Sequence, residues 1–340
     1  MEISKRNETA AFTVDLLGGA ITNFHLRDSD RINPLSFAFS KDQMPDNNKA
    51  GAPYRGHFLC LGRWGLPSAG EIKAGVPNHG QIANILWQQK DAGELVLTME
   101  ATSTLEGLHV ERSMQLDQND PVVAVKETVS NVNPLGRLYN MVQHPTLAAP
   151  FLNASTIISS NATTGFDQAR HKQVAENTFT WPNVKDEKGD FIDLRKPAGK
   201  YNSVFSFVAD KNAETGWISA YSPEFNLLFG YAWKRSDYPW IHLWQHWEDD
   251  AIKYHGIEFG TAGIHQPFAE ILNTSTQLFG ERTFAYIDAG ESVSKKYFSF
   301  LYKPGKKVTG VNDIRIENEY INIVINQDET IRLHISSDQL

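Results

Sequence analysis

Short segments in which apolar and polar residues alternate dominate the chain. Alternation with a period of two is typical of β-strands that bury one face. It occurs in "FTVDLL", "LVLTMEATS", "VVAVKETVS", "SVFSFVA", "GWISAYS", "NLLFGYAW" and "KYFSFLY", and "NEYINIVINQ" followed by "TIRLHIS" predicts a final hairpin. Gly, Asn, Asp and Pro separate these segments, and long stretches with the helical period are scarce. The pattern therefore predicts an all-β, mostly antiparallel sandwich or barrel with few short helices.

This pattern runs through the chain without a break that would mark a second domain. There is no Ser/Pro-rich linker and no repeat of roughly 20–50 residues. Large β-sandwiches can reach this length. We therefore predict a single domain over residues 1–340, with an irregular excursion at about 153–200.

Composition narrows the classes of function. The 340 residues are 41% hydrophobic and 21% charged, which is typical of a soluble globular protein with a sizeable core. The net charge is -8, and no basic run exceeds two consecutive residues. This argues against nucleic acid as a partner, because phosphate binding needs clustered Lys and Arg. No stretch approaches the ~18–20 apolar residues of a membrane span.

Two further features concern location and cofactors. The N-terminus lacks the long apolar segment of a secretory signal, so we expect a cytoplasmic protein; a removed leader would instead place it in the periplasm. Cys60 is the only cysteine, which excludes an intrachain disulfide, and its apolar neighbours favour a buried thiol over a nucleophile. With no Gly-rich phosphate loop either, we expect no cofactor.

The segment "LYNMVQHPTLAAPFL" (138–152) places His144 within an apolar run and Pro145 directly after it. Two interpretations are open: a core histidine satisfied by a neighbour, or a histidine presented to a ligand. Proline has no backbone donor. We therefore expect Pro145 to end the ladder pairing there, so that the ring of His144 stays accessible.

A second histidine lies in "GVPNHGQIANILW" (75–87), where Pro77 and the glycines mark a loop. His79 is at the tip of this loop, and Gly80 would let the backbone approach a ligand closely. A turn histidine exposed to water is the alternative interpretation.

The densest aromatic segment is "PWIHLWQHWEDD" (239–250). With the alternation of a strand, Trp240, His242, Trp244 and His246 share one face. Indole rings stacked on sugar C–H groups, with imidazoles that bond hydroxyls, would suit a sugar platform; a wall of the sandwich core is the alternative. Neighbouring histidines can also converge on a cation, but the segment has no dedicated metal spacing, so no metal site is predicted.

Glu258 lies in "YHGIEFGTAG" (254–263), between Ile257 and Phe259, in a run typical of a buried strand. A carboxylate there is unfavourable without a partner or a function. It either points outward from an edge strand or acts as a general base whose apolar surroundings raise its pKa.

The order of the motifs is more specific than any of them alone. It begins with "VDLLGGAITNFHLRD" and "INPLSF", continues through "YRGHFLCLGRWG", "VPNHGQIANILW" and "VKETVSNVNPLGRLYNMVQHPTLAAPF", and closes with "GIEFGTAG" and "YIDAGESVSKKYFSF". This order resembles the aldose 1-epimerase (galactose mutarotase-like) family. That family has an Asn-Pro-Leu segment, an Arg-Gly-Gly loop, a His-Gly motif, strands with a catalytic histidine and a glutamate, and a closing Pro-Gly-Glu-Ser segment. The resemblance covers about residues 12–302.

The resemblance implies a galactose mutarotase-like β-supersandwich and a role for each matching residue. His144 matches the family's general acid and Glu258 its general base. His79 matches its second active-site histidine, and Arg55 a substrate-contacting arginine. Three positions depart from the family pattern: "HPTLAAPF" lacks the aromatic residue after His-Pro, "EFGTAG" replaces Glu-Pro-Trp, and His57 stands where a second glycine is common.

We therefore predict interconversion of the α and β anomers of a free sugar, which Arg55, Trp244, His242 and His246 would contact. Mutarotation needs one group to take the proton of the anomeric hydroxyl and another to protonate the ring oxygen, and a carboxylate and a histidine suffice. The alternatives are a non-catalytic carbohydrate-binding protein on the same fold and a metal-dependent sugar isomerase or lyase that uses His242 and His246. Arg55 and Arg63, on one glycine-rich segment, could hold a phosphate, but they could equally be hydroxyl ligands or ion-pair partners. No oligomeric state is predicted.

The hypothesis makes two geometric predictions. His79, His144 and Glu258 should converge on one cleft, with His144 and Glu258 far enough apart to bracket a pyranose ring. Trp244 should line the same cleft.

Overall fold

Strands make up most of the regular structure in the computed structural model, which describes residues 1–28, 30–91 and 93–336. In chain order they are β1 (Glu2–Arg6), β2 (Ala10–Asp15), β3 (Ala20–Leu26), β4 (His57–Leu61), β5 (Gln88–Asp91), β6 (Val96–Ser103), β7 (Leu108–Leu116), β8 (Val122–Asn131), β9 (Arg137–Tyr139), β10 (Met141–Ala148), β11 (Ile157–Ser160), β12 (Ala162–Asp167), β13 (Thr178–Thr180), β14 (Asn183–Lys185), β15 (Phe191–Asp193), β16 (Ser203–Ala209), β17 (Thr215–Ser222), β18 (Leu227–Lys234), β19 (Trp240–Glu248), β20 (Ala251–Gly260), β21 (Gln277–Leu278), β22 (Glu281–Arg282), β23 (Ala285–Ile287), β24 (Ser292–Tyr302), β25 (Val311–Glu317), β26 (Tyr320–Ile325) and β27 (Glu329–His334).

Helices are few and short, as the alternation predicts. They are α1 (Ala69–Lys73), α2 (Phe268–Thr274) and 3-10 segments at Lys41–Gln43, Asp46–Asn48, Ile82–Asn84 and Gln168–Glu176. In the part of the chain that the structure describes, no helix is long and apolar enough to span a membrane.

Two large sheets pack face to face. The larger sheet has 12 strands in the order β1-β2-β3-β4-β10-β20-β19-β16-β12-β13-β14-β15, and the smaller has eight in the order β11-β17-β18-β24-β8-β7-β6-β5. The main apolar core lies between them, where Phe24 and Phe259 of the larger sheet contact Phe229 and Tyr231 of the smaller one. The predicted all-β sandwich is confirmed.

Residues 153–200 are more regular than predicted. Instead of an irregular excursion they contain the short strands β11 to β15, and β12 to β15 extend one edge of the larger sheet. Strands of three residues, such as β13, β14 and β15, complete too little of a two-residue period to stand out in a sequence.

Four neighbouring strands in the middle of the larger sheet, β4, β10, β20 and β19, position the candidate chemistry. Their alternation sends Leu59, Leu147 and Phe259 into the core between the sheets. The intervening positions, including Phe58 and His144, project from the opposite face, which carries its own cluster of aromatic residues. We call this second surface the outer face of the larger sheet.

Pro145 lies within a central strand, a position that proline rarely occupies. The ladder between β10 and β20 has no pair at His144 or Pro145, but it resumes in the same register at Thr146. On the other side, β10 pairs with β4 through Pro145 itself, opposite His57. The expectation that Pro145 ends pairing is wrong: the missing N–H interrupts one ladder locally, while the neighbouring strand holds the backbone in place.

The last three strands, β25 to β27, form a separate sheet, and β26 and β27 make the predicted hairpin. The apolar face of this sheet, with Ile321 and Ile323, packs against Trp217, Leu228 and Phe300 of the smaller sheet. A single domain over residues 1–340 stays a prediction, and its last four residues lie outside the described part of the chain.

Candidate active site

A cleft of about 650 Å³, its open mouth included, lies on the outer face of the larger sheet. Strands β4, β10, β20 and β19 contribute Phe58, His144, Glu258 and Trp244 to its lining. Aromatic side chains are the largest group in the lining, and its remaining titratable groups come from loops. The alternation of the four strands therefore collects side chains that are far apart in sequence on one surface.

His144 and Glu258 meet within this cleft. His144 Nε2 lies 3.2 Å from Glu258 Oε1. Trp64 Nε1 donates to Glu258 Oε2 at 3.1 Å, and His144 Nδ1 lies 3.1 Å from Thr146 Oγ1. Gly256 provides the room for the carboxyl, because a Cβ there would lie 2.8 Å from Glu258 Oε1. Each oxygen of the carboxyl thus has its own partner.

This direct contact differs from the expectation that the two groups bracket a pyranose ring. The expectation is wrong because it takes the width of the whole sugar ring as the distance that the two groups have to span. The anomeric hydroxyl and the ring oxygen are bonded to the same carbon, so the two groups have to reach only across that one carbon. A pair in contact, approached from its open side, meets this requirement.

Burial determines the protonation of the pair. Burial raises the pKa of Glu258 to about 8, and the hydrogen bond from Trp64 opposes this shift only in part. Burial lowers the pKa of His144 to about 3. Both shifts favour the uncharged forms at neutral pH, a carboxyl that holds one proton and a neutral imidazole facing it.

His79 reaches the cleft from a loop with an unusual backbone. Its φ of 59° lies in the left-handed region, and Gly80 follows with a φ of 84°. A Cβ at Gly80 would lie only 2.1 Å from the carbonyl oxygen of Leu61, so only glycine fits there. The loop turns sharply at this point, and the ring centroid of His79 lies 5.2 Å from that of His144.

The partners of His79 fix its tautomer. The backbone N–H of Gly65 donates to His79 Nδ1 at 3.2 Å, and Cys60 Sγ lies 3.2 Å from the same nitrogen. Burial lowers the pKa of His79 well below its ordinary value, so the ring is neutral. Since Nδ1 accepts, the proton is on Nε2, and His79 is a hydrogen-bond donor through that atom.

Neither of the two arginines considered from the sequence lines the cleft. Arg55 is partly exposed, and its Nη1 lies 3.5 Å from Asp15 Oδ2. Arg63 is buried, pairs with Glu71 and lies 4.3 Å above the ring of Phe268. Both guanidinium groups therefore have partners within the protein.

The two histidines of β19 also lie outside the cleft lining, with separate partners. His242 is fully buried beneath Trp64, with ring centroids 4.0 Å apart, and its Nδ1 lies 2.7 Å from Ser206 Oγ. His246 lies nearer the surface, where its Nε2 is 3.1 Å from Glu248 Oε1. Among residues 1–28, 30–91 and 93–336, no group of three or more His, Cys, Asp or Glu side chains could hold a metal ion.

Trp244 does line the cleft. It is half-buried, and its ring makes edge contacts with Phe37 at 6.1 Å and Phe39 at 6.4 Å. The ring of His144 lies 6.0 Å away. The indole therefore connects the acid–base pair to an aromatic wall.

No family model and no curated protein matches the sequence. Solved structures match along most of the chain. A galactose mutarotase related enzyme from Lactobacillus acidophilus gives a TM-score of 0.64 at 10% identity, over 90% of this chain and 99% of that chain. A galactose mutarotase-like protein from Lactobacillus casei gives 0.59 at 13% identity, over 89% and 100%. An aldose epimerase homologue from C. elegans gives 0.58 at 10%, over 89% and 99%. The chain has the galactose mutarotase-like fold. At these identities it is a divergent example, and the chemistry has to be argued from its own cleft.

Two residues of the cleft escape sequence reasoning. Trp64 donates to Glu258, and His265 lines the cleft with its ring 4.7 Å from Trp64 and 6.0 Å from His79. Burial lowers the pKa of His265 to about 4. Both lie in loops, where no periodicity indicates direction. Gly65 leaves the space for His265, because a Cβ there would lie 2.4 Å from its ring.

Asparagines anchor the loop that carries His79 in the mutarotase-like sandwich. Asn48 Nδ2 donates to Tyr54 Oη at 2.5 Å and to Asn84 Oδ1 at 2.8 Å. Asn48 Oδ1 accepts from the backbone N–H of Asn78 at 2.9 Å, and Tyr54 Oη donates to the carbonyl of Asn78 at 2.6 Å. These bonds satisfy the loop backbone from within, which holds the ring of His79 over the pair.

A buried polar network lies behind β10, on the core side of His144. Arg112 Nε donates to Glu127 Oε1 at 2.7 Å, and Gln143 Nε2 donates to Glu127 Oε2 at 2.5 Å. Gln143 Oε1 lies 3.0 Å from His57 Nε2, and Tyr231 Oη lies 3.0 Å from His57 Nδ1. Because a carboxylate only accepts hydrogen bonds, Gln143 must turn its amide nitrogen to it. Gln143 Oε1 then accepts from His57 Nε2, and His57 Nδ1 accepts from the hydroxyl of Tyr231. The strand that presents His144 is thus held from behind as well.

Proposed function

We propose that the protein interconverts the α and β anomers of an aldose with a free anomeric hydroxyl. The observation that carries this proposal is the contact between His144 Nε2 and Glu258 Oε1 inside an aromatic-lined cleft. The reaction needs a proton acceptor and a proton donor close to the same carbon. It needs no nucleophile, redox group or cofactor.

The reaction takes one proton from the sugar and returns one to it, which fits a pair that shares one transferable proton. In the resting pair Glu258 carries it, and transfer across the 3.2 Å contact gives a carboxylate and an imidazolium, the base and acid roles that the resemblance assigns. The base takes the proton of the anomeric hydroxyl, whose electrons form the carbonyl. The bond between the anomeric carbon and the ring oxygen breaks, and the acid protonates that oxygen. Rotation and closure on the other face reverse both transfers, so the pair ends with the one proton it began with.

His79 supplies a third contact in this proposal. As a neutral ring with its proton on Nε2, it donates a hydrogen bond to the ring oxygen or to a neighbouring hydroxyl. Burial keeps the pKa of His79 well below its ordinary value, so the ring does not compete with the pair for a proton. Its task is therefore orientation, and Trp244 and the aromatic wall provide stacking surface for the sugar.

The experiment that tests the proposal measures anomer exchange by NMR on a panel of free aldoses, with binding measured on the same samples. Exchange above the uncatalysed rate is expected for the wild type, and His144→Asn should reduce it by roughly 10²-fold or more, because positioned proton transfer contributes that much. Removing both His144 and Glu258 should cost far less than the product of the single effects, since they serve one transfer. A chelator should leave the rate unchanged.

A non-catalytic sugar-binding protein is the second candidate. Six aromatic side chains in the cleft lining favour it as much as they favour the enzyme; they are Phe37, Phe39, Tyr54, Phe58, Trp64 and Trp244. This candidate predicts tight binding with anomers that exchange at the uncatalysed rate, and variants of the pair that alter affinity alone. The two measurements together separate the candidates.

A further inference from the structure

The cleft has a polar end and an aromatic end, with the acid–base pair between them. The sheet register sets this order along the strands. His79 contacts Cys60 Sγ, and Cys60 is in register with the residue two positions before His144. Trp244 is in register, across β20, with the residue two positions after His144. His79 and Trp244 therefore lie on opposite sides of the pair.

The polar end offers hydrogen bonds that the protein does not use. Asn78 Oδ1 is buried and has no hydrogen-bond partner among the described residues. His79 is a donor through Nε2, and His265 adds a second neutral imidazole at this end. These groups match hydroxyls next to the reacting carbon.

The other end is mainly aromatic, although Gln43, four positions after Phe39, also lines the cleft with its side-chain amide. Phe37, Phe39 and Trp244 meet there, with ring centroids 4.9 to 6.4 Å apart, and Val204 adds an aliphatic surface. The indole N–H of Trp244 is the one hydrogen-bonding group that these four side chains contain. A substituent placed against these four side chains contacts mostly apolar surface.

The cleft also lacks a cation. Within the described chain, its lining contains no lysine and no arginine, and the nearby Arg63 is already paired with Glu71. Among the described residues of the lining, Glu258 alone carries a carboxyl group. A negatively charged substituent would therefore lose its hydration without gaining a partner.

We infer that the cleft takes an uncharged aldose with an apolar group at carbon 6, namely a 6-deoxyhexose. The inference rests on the proposed function, which places the anomeric carbon and the ring oxygen against the pair. In a hexopyranose the anomeric carbon is bonded to carbon 2, which carries a hydroxyl, and the ring oxygen is bonded to carbon 5, which carries carbon 6 with its substituent. The hydroxyl fits the polar end, which leaves the aromatic end for carbon 6. A methyl group buries there without an unpaired polar atom, whereas a phosphate or carboxylate does not.

The test uses sugars that differ only at carbon 6: 6-deoxygalactose, galactose, galacturonate and galactose 6-phosphate, with the corresponding glucose and mannose series. Anomer exchange is measured by NMR, and each catalysed rate is divided by the uncatalysed rate of the same sugar, because carboxylates and phosphates assist their own exchange. Binding constants are measured on the same series. We expect the highest kcat/KM for the 6-deoxy sugar of the preferred series. The parent hexose should be lower by roughly 10- to 10²-fold, since an apolar pocket rejects an added hydroxyl only modestly. Both charged sugars should be lower than the parent by roughly 10²-fold or more.

A variant of the aromatic end provides a second readout. Phe39→Lys should raise kcat/KM for the 6-phosphate relative to the 6-deoxy sugar, by roughly tenfold or more, because it adds the missing cation. Phe191→Lys is the matched control, since Phe191 is 73% exposed on the edge strand β15 and does not line the cleft. It should leave the ratio unchanged.

The outcomes separate this inference from the proposed function. Catalysed exchange in which a charged sugar has a kcat/KM equal to or higher than that of the 6-deoxy sugar overturns the inference and leaves the proposed function standing. Binding without exchange throughout overturns the proposed function, and the order of the binding constants then decides the inference by the same criterion. Failure of every sugar to bind overturns both.

Discussion

Glutamine at position 258 would keep the shape of the candidate site while removing its proton transfer. In the wild type, Glu258 Oε2 accepts from Trp64 at 3.1 Å and Oε1 faces His144 Nε2 at 3.2 Å. The carbonyl of a glutamine can accept from Trp64, and its amide can donate to Nε2 of neutral His144 in the tautomer that leaves this atom without a proton. Glu258→Gln therefore imitates the protonated carboxyl but cannot pass its proton on.

The expected loss of activity is large. Positioned proton transfer contributes roughly 10²–10⁴-fold, so catalysed exchange should fall by at least about 10²-fold. This corresponds to roughly 3–5 kcal/mol of lost transition-state stabilisation. Sugar affinity should change far less, because the amide still bonds hydroxyls.

The same substitution should stabilise the protein at alkaline pH. The pKa of Glu258 is raised from 4.5 to about 8 by burial, so above pH 4.5 the folded state retains a proton that the unfolded state has released. The free energy of unfolding then falls by about 1.4 kcal/mol per pH unit, and by roughly 5 kcal/mol in total, as pH rises through that interval. Glutamine does not ionise, so this contribution to the pH dependence should disappear.

Two measurements check these expectations on wild type, Glu258→Gln and a control. Anomer exchange is measured by NMR at pH 7, and urea unfolding is followed between pH 5 and pH 8.5. Glu224→Gln is the control, because it removes the charge of an exposed glutamate whose partner is Asn153. It should change neither result.

Two results would refute the reasoning. An unchanged rate of exchange in Glu258→Gln would remove Glu258 from the chemistry. Identical slopes of unfolding free energy against pH in wild type and variant would show that the carboxyl is not held protonated by burial, and the resting state of the pair would have to be revised.

The remaining predictions concern the surroundings of the pair. Trp64→Phe removes a hydrogen bond that lowers the pKa of Glu258, so the alkaline limb of the pH–rate profile should move upward, and a limb that stays in place contradicts this. Gln143→Met leaves Glu127 Oε2 without its donor and His57 Nε2 without its acceptor. Chemical denaturation should therefore show a free energy of unfolding that is lower by about 3 kcal/mol. A decrease below about 1 kcal/mol would make the network unimportant for stability. Trp244→Ala should weaken sugar binding by about 1 kcal/mol or more, judged by titration calorimetry, with a smaller effect on unfolding. Burial lowers the pKa of six histidines, so each contributes to the stability of the folded state above its unfolded pKa of 6.5. Thermal melts should show that this stability is lost steeply as pH falls below about 6. The six are His57, His79, His144, His242, His255 and His265.

The local sequence was sufficient for the longer strands, but not for short ones such as β13, β14 and β15. Segments such as "SVFSFVA" are strands because alternate residues can be buried on one side of a sheet, and that property is contained in the segment itself. For Glu258 the neighbours Ile257 and Phe259 left two interpretations open, an edge position facing outward and a buried carboxyl, and the structure shows the buried one, with a raised pKa. The order of the motifs along the chain predicted the galactose mutarotase-like fold, which the solved structures confirm.

The composition of the cleft depended on tertiary structure, because loops decide which residues of a strand face stay open. His242 and Trp244 project from the same face of β19, yet Trp64 packs over His242, whereas Trp244 remains in the lining. Arg55 lies in the segment that resembles the family motif, but its position beside Asp15 places it elsewhere. His265 enters the cleft because Gly65, distant in sequence, leaves space for its ring. Strand periodicity is a local property that a segment carries in itself, whereas the packing of a loop over a sheet joins residues distant in the chain, and only the folded structure brings them together.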